Sequence, residues 1–134
     1  MKLILLSTFT AAIIFLIIDV IWLTFAVKLF YRPNLGSLLL DSPVMWAAVS
    51  FYLMYVIGIG IVIIEPSLGN TLDLKFFIRA FIFGLVAYGT YNLTNMATIK
   101  GWSANVVFVD MFWGGLLTAV SSYSGIMIVK KLFA

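Results

Sequence analysis

The sequence predicts an all-α integral membrane protein: a single domain (residues 1–134) that folds as an antiparallel, up-down four-helix bundle. Of its 134 residues, 64% are hydrophobic and only 10% are charged. A soluble domain carries roughly a quarter charged residues, because its surface faces water. The mean hydropathy of +1.19 agrees with a chain whose solvent is lipid. Four apolar stretches are each long enough to cross a bilayer, which takes about 20 residues.

The first two predicted spans cover residues 3–30 and 44–64. The first ends at a turn over residues 31–36, because Pro33 and Gly36 interrupt a helix. The second is closed by Glu65 and Pro66.

The last two predicted spans cover residues 76–99 and 103–129. Asp73 has the side chain expected of an N-cap for the third span. Short connections make consecutive helices antiparallel. Small residues four positions apart would let helices approach closely. These pairs are Ala80 and Gly84, Gly114 and Thr118, and Gly115 and Ala119.

Basic residues predict the orientation, since they concentrate on the cytoplasmic side of membrane proteins. One side of the predicted bundle carries Lys2, Lys75, Arg79, Lys130 and Lys131, and the other carries Lys28, Arg32 and Lys100. We therefore expect both termini in the cytoplasm.

Several kinds of chemistry are excluded by composition. The chain has no cysteine and no histidine, which removes disulfides, thiolate nucleophiles and imidazole catalysis. We expect no metal site and no cofactor. The net charge of +3 is ordinary for the loops of a membrane protein, so it does not indicate a nucleic-acid partner.

Three polar residues lie inside the spans at one predicted depth. At 1.5 Å per residue, Asp19, Asn92 and Asp110 each lie about 12–13 Å from the outer end of their helix. A carboxylate in hydrocarbon costs at least about 2.5–3.5 kcal/mol, so such residues face inward. No basic residue lies deep in any span to pair with them. We therefore expect a polar layer in the outer half of the bundle, with at least one aspartate protonated near neutral pH.

The neighbours of these residues on the same helix faces complete a candidate ligand-binding site. Tyr88, Asn92 and Asn95 share a face at i, i+4 and i+7. A D-x-x-W pattern occurs twice, at Asp19 and at Asp110. The candidate residues are Asp19, Trp22, Tyr88, Tyr91, Asn92, Asn95, Asp110 and Trp113.

Structural interpretations remain open for the same residues. The aspartates can serve only as interhelical hydrogen-bonding groups that fix the bundle. Trp22, Trp46 and Trp102 are also typical of interfacial aromatics. Tyr52 and Tyr55 fit packing and pocket lining equally well.

The third and fourth spans carry a pattern that resembles a known family. The segments are Tyr88-Gly-Thr-Tyr-Asn-Leu-Thr-Asn95, Lys100-Gly-Trp102 and Asp110-Met-Phe-Trp113-Gly. They resemble an uncharacterised family of bacterial predicted membrane proteins, a domain of unknown function with a YGTY[D/N]LTN…KGW…DxxWG pattern. The resemblance extends over essentially the whole chain, and it implies four spans and a bacterial inner membrane. Asn92 stands where the family pattern has an aspartate.

Three functions are compatible with these observations. The first is binding or translocation of a small ligand, coupled to protons, at the polar layer; translocation would require a homo-oligomer, since one copy forms a narrow pore. The second is a lipid-handling enzyme or its accessory subunit, although a catalytic role is weakly supported without histidine or cysteine. The third is a structural or assembly subunit of a membrane complex. The expected partners are membrane lipids, a second copy of the chain, and a small ligand or lipid.

Overall fold

The computed structural model describes residues 1–133, and within them it contains four long helices and no β-strand. We label them α1 (Lys2–Leu38), α2 (Met45–Ser67), α3 (Leu74–Thr98) and α4 (Ala104–Phe133). Each is long and apolar enough to cross a membrane. The prediction of an all-α membrane protein with four spanning helices is therefore confirmed.

Helix α1 continues through the segment where the sequence predicts a turn. It is α-helical to Ala26, widens into one π-helical turn at Val27–Tyr31, and ends as Arg32–Leu35 and Gly36–Leu38. A proline ring normally collides with the carbonyl four residues earlier, and the widened turn before it gives that ring room. The helix thus ends at Leu38, beyond residue 30, where the first span is predicted to end, and the chain becomes extended at Leu39.

The other helices extend differently from the predicted spans at their ends. Helix α2 continues past residue 64 through a π-helical turn at Gly60–Ile64 and a final turn at Glu65–Ser67. Helix α3 begins two residues before the predicted span, and α4 continues four residues beyond its predicted end. The expected cap is confirmed, since the backbone N–H of Phe76 donates to Asp73 Oδ1 at 3.2 Å.

Helix α4 lies at the centre of the bundle and packs most extensively against α3 and α1. Glycines allow both approaches. A Cβ atom on Gly84 would collide with the Gly114 carbonyl and lie 2.6 Å from Thr118 Oγ1, and one on Gly125 would lie 2.7 Å from the Ala11 Cβ. The close approach predicted from small residues on α3 and α4 is therefore confirmed.

Helix α2 approaches α1 most closely near its own C-terminal end. A Cβ atom on Gly60 would lie 2.9 Å from the side chain of Thr8, and Ile63 and Ile64 are fully buried there. The first half of α2 is less covered, since Trp46 is 76% exposed and Leu53 is 62% exposed. The bundle is consequently tight at the α2 C-terminal end and less tightly packed at the other end.

Candidate functional site

A cavity of about 440 Å³ lies in the less tightly packed half of the bundle. All four helices contribute to its wall, together with Leu39, which follows α1, and Trp102 of the loop between α3 and α4. Its wall is mostly apolar and aromatic, with two carboxyl groups from different helices. The lining residues are Asp19, Leu23, Val27, Tyr31, Leu35, Leu39, Phe51, Tyr52, Tyr88, Tyr91, Trp102, Val106, Asp110 and Trp113.

Asp110 of α4 receives donors from α1 and α3. The Tyr31 hydroxyl donates to Asp110 Oδ1 at 2.5 Å, and Asn92 Nδ2 donates to Oδ2 at 2.7 Å. The Tyr91 hydroxyl also donates to Oδ2. Asn92 Nδ2 lies 3.0 Å from the Tyr88 carbonyl, which can only accept, so the orientation of this amide is fixed. Asp110 thus joins three helices through neutral donors.

Asp19 of α1 receives donors from α2 and α4. The Tyr52 hydroxyl donates to Asp19 Oδ2 at 2.5 Å, and Trp113 Nε1 donates to Oδ1 at 3.2 Å. Asp19 is 6% exposed and Asp110 is 5% exposed, so both acids are removed from the outer surface. Each carboxyl is held in place by side chains of other helices.

The two D-x-x-W motifs are connected to each other crosswise. Trp113 donates directly to Asp19, whereas Trp22 Nε1 donates to the Tyr31 hydroxyl at 3.1 Å, and Tyr31 in turn donates to Asp110. The two indole rings stack with centroids 4.3 Å apart and an angle of 15° between their planes. The tryptophan of each motif is therefore hydrogen-bonded to the aspartate of the other, directly for Trp113 and through Tyr31 for Trp22.

No basic side chain lines the cavity. Within residues 1–133, Arg32 Nη1 lies 3.7 Å from Asp41 Oδ1, and this ion pair is outside the cavity wall. Within the same residues, no group of three acidic side chains lies close enough to share a metal ion. The polar part of the cavity is therefore built from two carboxyl groups and uncharged donors.

The eight predicted site residues fall into three groups. Five of them line the cavity: Asp19, Tyr88, Tyr91, Asp110 and Trp113. Asn92 and Trp22 lie behind this wall, where Asn92 contacts Asp110 and Trp22 stacks on Trp113. Asn95 is half-buried, lies one turn from the end of α3, and forms no side-chain hydrogen bond within residues 1–133. The structure does not bring Asn95 into the network, although it shares a helix face with Tyr88 and Asn92.

Two donors were not identified from the sequence. Tyr31 falls in the segment predicted to be a turn, and the π-helical turn that carries it onto the cavity wall has no clear signal in the residues. In the sequence, Tyr52 fits packing and pocket lining equally well, and in the structure its hydroxyl donates to Asp19. A buried tyrosine hydroxyl inside a span needs a partner, and this requirement is the signal that could have identified both.

Two polar atoms beside the acids have no partner within the described chain. Asn92 Oδ1 is an acceptor on a fully buried side chain, and Trp102 Nε1 is a buried donor on the cavity wall. Trp102, expected at the interface, thus also lines the cavity. The site retains hydrogen-bonding capacity that the protein itself does not use.

Comparison with family models identifies the protein family to which the chain is related. The model described as predicted membrane protein (DUF2177) matches residues 4–127. The chain belongs to this family. Neither the curated proteins nor the solved structures contain a match.

Membership establishes a membrane protein and carries no activity with it. The chemistry of this member of the family must therefore be argued from its site. Two carboxyl groups that face one apolar cavity can accept hydrogen bonds from a ligand, compensate a positive charge, or exchange a proton. The tyrosine and tryptophan rings around them add flat apolar surfaces.

Proposed function

We propose that this protein binds a small ligand in the cavity between α1, α2, α3 and α4, within the bacterial inner membrane. The observation that carries the proposal is the meeting of two buried acids from different helices, Asp19 and Asp110, on the wall of one cavity of about 440 Å³. Cavities that bind small molecules typically measure about 300–1,000 Å³ and combine apolar walls with few polar groups.

The cavity itself argues against a purely structural role for the acids. Interhelical hydrogen bonds need no open space beside them, and this cavity, which is open to its surroundings, leaves its aromatic wall without packing partners from the protein. The other half of the bundle packs tightly where small residues permit it, as at Gly60 and Gly125. A cavity that persists beside two acids is better explained by an occupant.

Translocation would extend this binding function. The acids lie within the spanning helices, where ionisable residues often mark pathways for protons or substrates. Proton-coupled release of the ligand would use the same two carboxyls. A homo-oligomer would supply the wider path that four helices lack.

A lipid ligand, handled by an enzyme or its accessory subunit, is the second candidate. The observation that favours it is the apolar row of Leu23, Val27, Leu35 and Leu39 along one side of the cavity. An acyl chain fits such a row, with its head group beside the acids. In that case the two carboxyls would supply acid–base chemistry on the head group.

Native mass spectrometry on protein released from mild detergent tests the binding proposal. We expect the wild type to carry a bound mass of defined stoichiometry, and Asp19→Asn and Asp110→Asn to lose it while remaining folded. Asp41→Asn is the matched control, because Asp41 lies outside the cavity wall. Retention of the same mass by both cavity variants would contradict the proposal. A covalently altered lipid in the spectrum would favour the enzyme.

A further inference from the structure

We propose that the ligand of this cavity carries a positively charged amine on an apolar body. This inference rests on the proposed binding function and names the chemical class of its ligand. It follows from the charge, the unused acceptors and the aromatic surfaces of the cavity wall.

The cavity wall carries acidic groups without basic ones. Asp19 and Asp110 bring two acidic groups to a cavity whose wall contains no lysine or arginine. A negative charge within the hydrocarbon layer requires a compensating partner. Every partner that residues 1–133 provide is an uncharged hydroxyl, amide or indole group. A cationic ligand supplies the compensation that the protein lacks.

The carboxyl groups on the cavity wall have unused acceptor capacity. A carboxylate offers about four lone-pair positions, and within residues 1–133 Asp19 receives donors only from Tyr52 and Trp113. Its oxygens and those of Asp110 belong to residues that line the cavity. These atoms accept hydrogen bonds, so they match a group that donates them. An ammonium group donates and carries the required charge.

The donors on Asp110 are fixed in direction, which keeps its oxygens acceptors. An indole N–H only donates, so Trp22 occupies a lone pair of the Tyr31 hydroxyl and directs its proton to Asp110. Asn92 is fixed in the same sense by the Tyr88 carbonyl. Asp110 is thereby held as an acceptor on the cavity wall.

Aromatic rings around the cavity provide a second kind of cation site. Positive groups are attracted to the faces of tryptophan, tyrosine and phenylalanine rings, and ammonium groups are often held between several such rings. Six aromatic residues besides Tyr31 line the wall: Phe51, Tyr52, Tyr88, Tyr91, Trp102 and Trp113. Acids and aromatic rings together favour a cation over a neutral donor.

The remaining wall defines the rest of the molecule. Leu23, Val27, Leu35 and Leu39 offer an apolar surface for a hydrocarbon or aromatic body. Trp102 Nε1, a donor without an acceptor, adds a place for one polar acceptor on the ligand. A free hydrophobic amine and a lipid with an amine head group share this chemistry.

Isosteric probes separate charge from shape. Phenylbutylammonium, which keeps its N–H donors, is compared with its neutral isostere, in which a methyl group replaces the ammonium, and with phenylbutyl sulfonate. Binding is measured by calorimetry on the intact protein in phosphatidylglycerol nanodiscs, with empty nanodiscs as the reference. We expect only the cation to bind above the reference. Asp19→Asn should lower its affinity by about tenfold or more, the loss expected when a charge-assisted contact disappears, whereas Asp41→Asn should not.

The outcomes distinguish this inference from the binding function on which it rests. Equal binding of the cation and the neutral isostere would overturn the cation inference and leave a cavity for apolar ligands. Binding of neither probe would also overturn it, and the bound mass in native spectra would still decide the binding function. The comparison among probes uses the wild type alone, so it does not depend on a variant that fails to fold.

A second lipid composition identifies the source of the amine. In nanodiscs that contain phosphatidylethanolamine, a lipid amine would compete with the probe and weaken its apparent affinity. Unchanged affinity would point to a free amine. Both results keep the proposal, since both require the cation to bind in the first place.

Discussion

The two halves of the bundle satisfy their buried polar groups in different ways. In the tight half, where Gly60 and Gly125 bring helices together, hydroxyls of α4 donate back to their own helix, and Thr118 Oγ1 also lies 2.6 Å from the Tyr55 hydroxyl of α2. Thr118 bonds the Gly114 carbonyl and Ser121 bonds the Leu117 carbonyl, at 2.7 Å each. In the half with the cavity, the acids are satisfied across helices, as when Tyr31 of α1 reaches Asp110 of α4.

This difference distinguishes polar groups that accompany helix packing from polar groups that form a binding site. A hydroxyl that bonds its own helix needs nothing from the rest of the fold, so it accompanies close packing at little cost. A carboxyl that depends on donors from other helices is expensive to bury and restricts how the helices can move. Such a network beside an open volume is what we expect of a binding site.

The largest loss of stability should come from a substitution that blocks the close contact between α3 and α4. A Cβ atom on Gly114 would overlap the ring of Tyr88, which lines the cavity. Gly114→Ala should therefore destabilise the bundle by about 1–3 kcal/mol, the usual cost of overpacking, and should also displace Tyr88. Thermal unfolding in detergent measures the loss. Gly69→Ala is the control, since nothing lies within 4 Å of that position, and an equal loss there would contradict the packing account.

Removal of an acid should have the next largest effect. Asp110→Ala leaves three donors without an acceptor, whereas Asp19→Ala leaves two. Each buried donor that loses its acceptor lowers the stability of the fold by about 1–3 kcal/mol. We expect Asp110→Ala to unfold at a lower temperature than Asp19→Ala, with Asp41→Ala unchanged. The reverse order of the two cavity variants would show that the network is arranged differently.

A smaller loss should follow when the hydroxyl that links the two motifs is removed. Tyr31→Phe breaks the connection from Trp22 to Asp110, and interhelical hydrogen bonds in membranes contribute about 0.6 kcal/mol on average and about 1.7 kcal/mol at most. Tyr123→Phe is the matched control, because Tyr123 packs on Phe76 and Phe77 outside the cavity. Chemical unfolding of the two variants compares them directly. Identical stabilities of the two variants would show that the Tyr31 hydroxyl forms no stabilising hydrogen bond in the network.

The smallest effect is expected in the tight half. The hydroxyl of Ser7 is buried and has no partner within the described chain. Ser7→Ala removes a polar atom that forms no hydrogen bond, so stability should stay within about 0.5 kcal/mol or rise slightly. Unfolding measured beside the wild type tests this. A clear loss would reveal a partner for Ser7 and weaken the contrast between the halves.

Much of the fold follows from the sequence, because lipid leaves few alternatives. A spanning segment must satisfy its backbone internally, so length and hydropathy are enough to identify the helices. Small residues such as Gly84 and Gly114 also indicated where helices meet. The continuation of α1 past Pro33 could not be predicted, since it depends on a π-helical turn at Val27–Tyr31 that no local residue pattern signals.

The candidate site follows only in part. Asp19 and Asp110 stand out in the sequence because acids are rare in spans, and helix periodicity adds Tyr88 and Asn92. Periodicity also added Asn95, which remains outside the network. The crosswise support of each aspartate by the tryptophan of the other motif depends on how α1 and α4 pair. No local pattern encodes that pairing.

The most direct test of the cavity measures how accessible two neighbouring positions, 106 and 107, are to a thiol reagent. Val106 and Val107 are both 2% exposed, but only Val106 lines the cavity. The chain has no cysteine, so Val106→Cys and Val107→Cys each introduce a single thiol. A small aminoethyl methanethiosulfonate reagent, followed by mass spectrometry, should modify the thiol at position 106 much faster than the one at 107, and the phenylbutylammonium probe should protect it. Equal rates at both positions would contradict an accessible cavity beside Asp110.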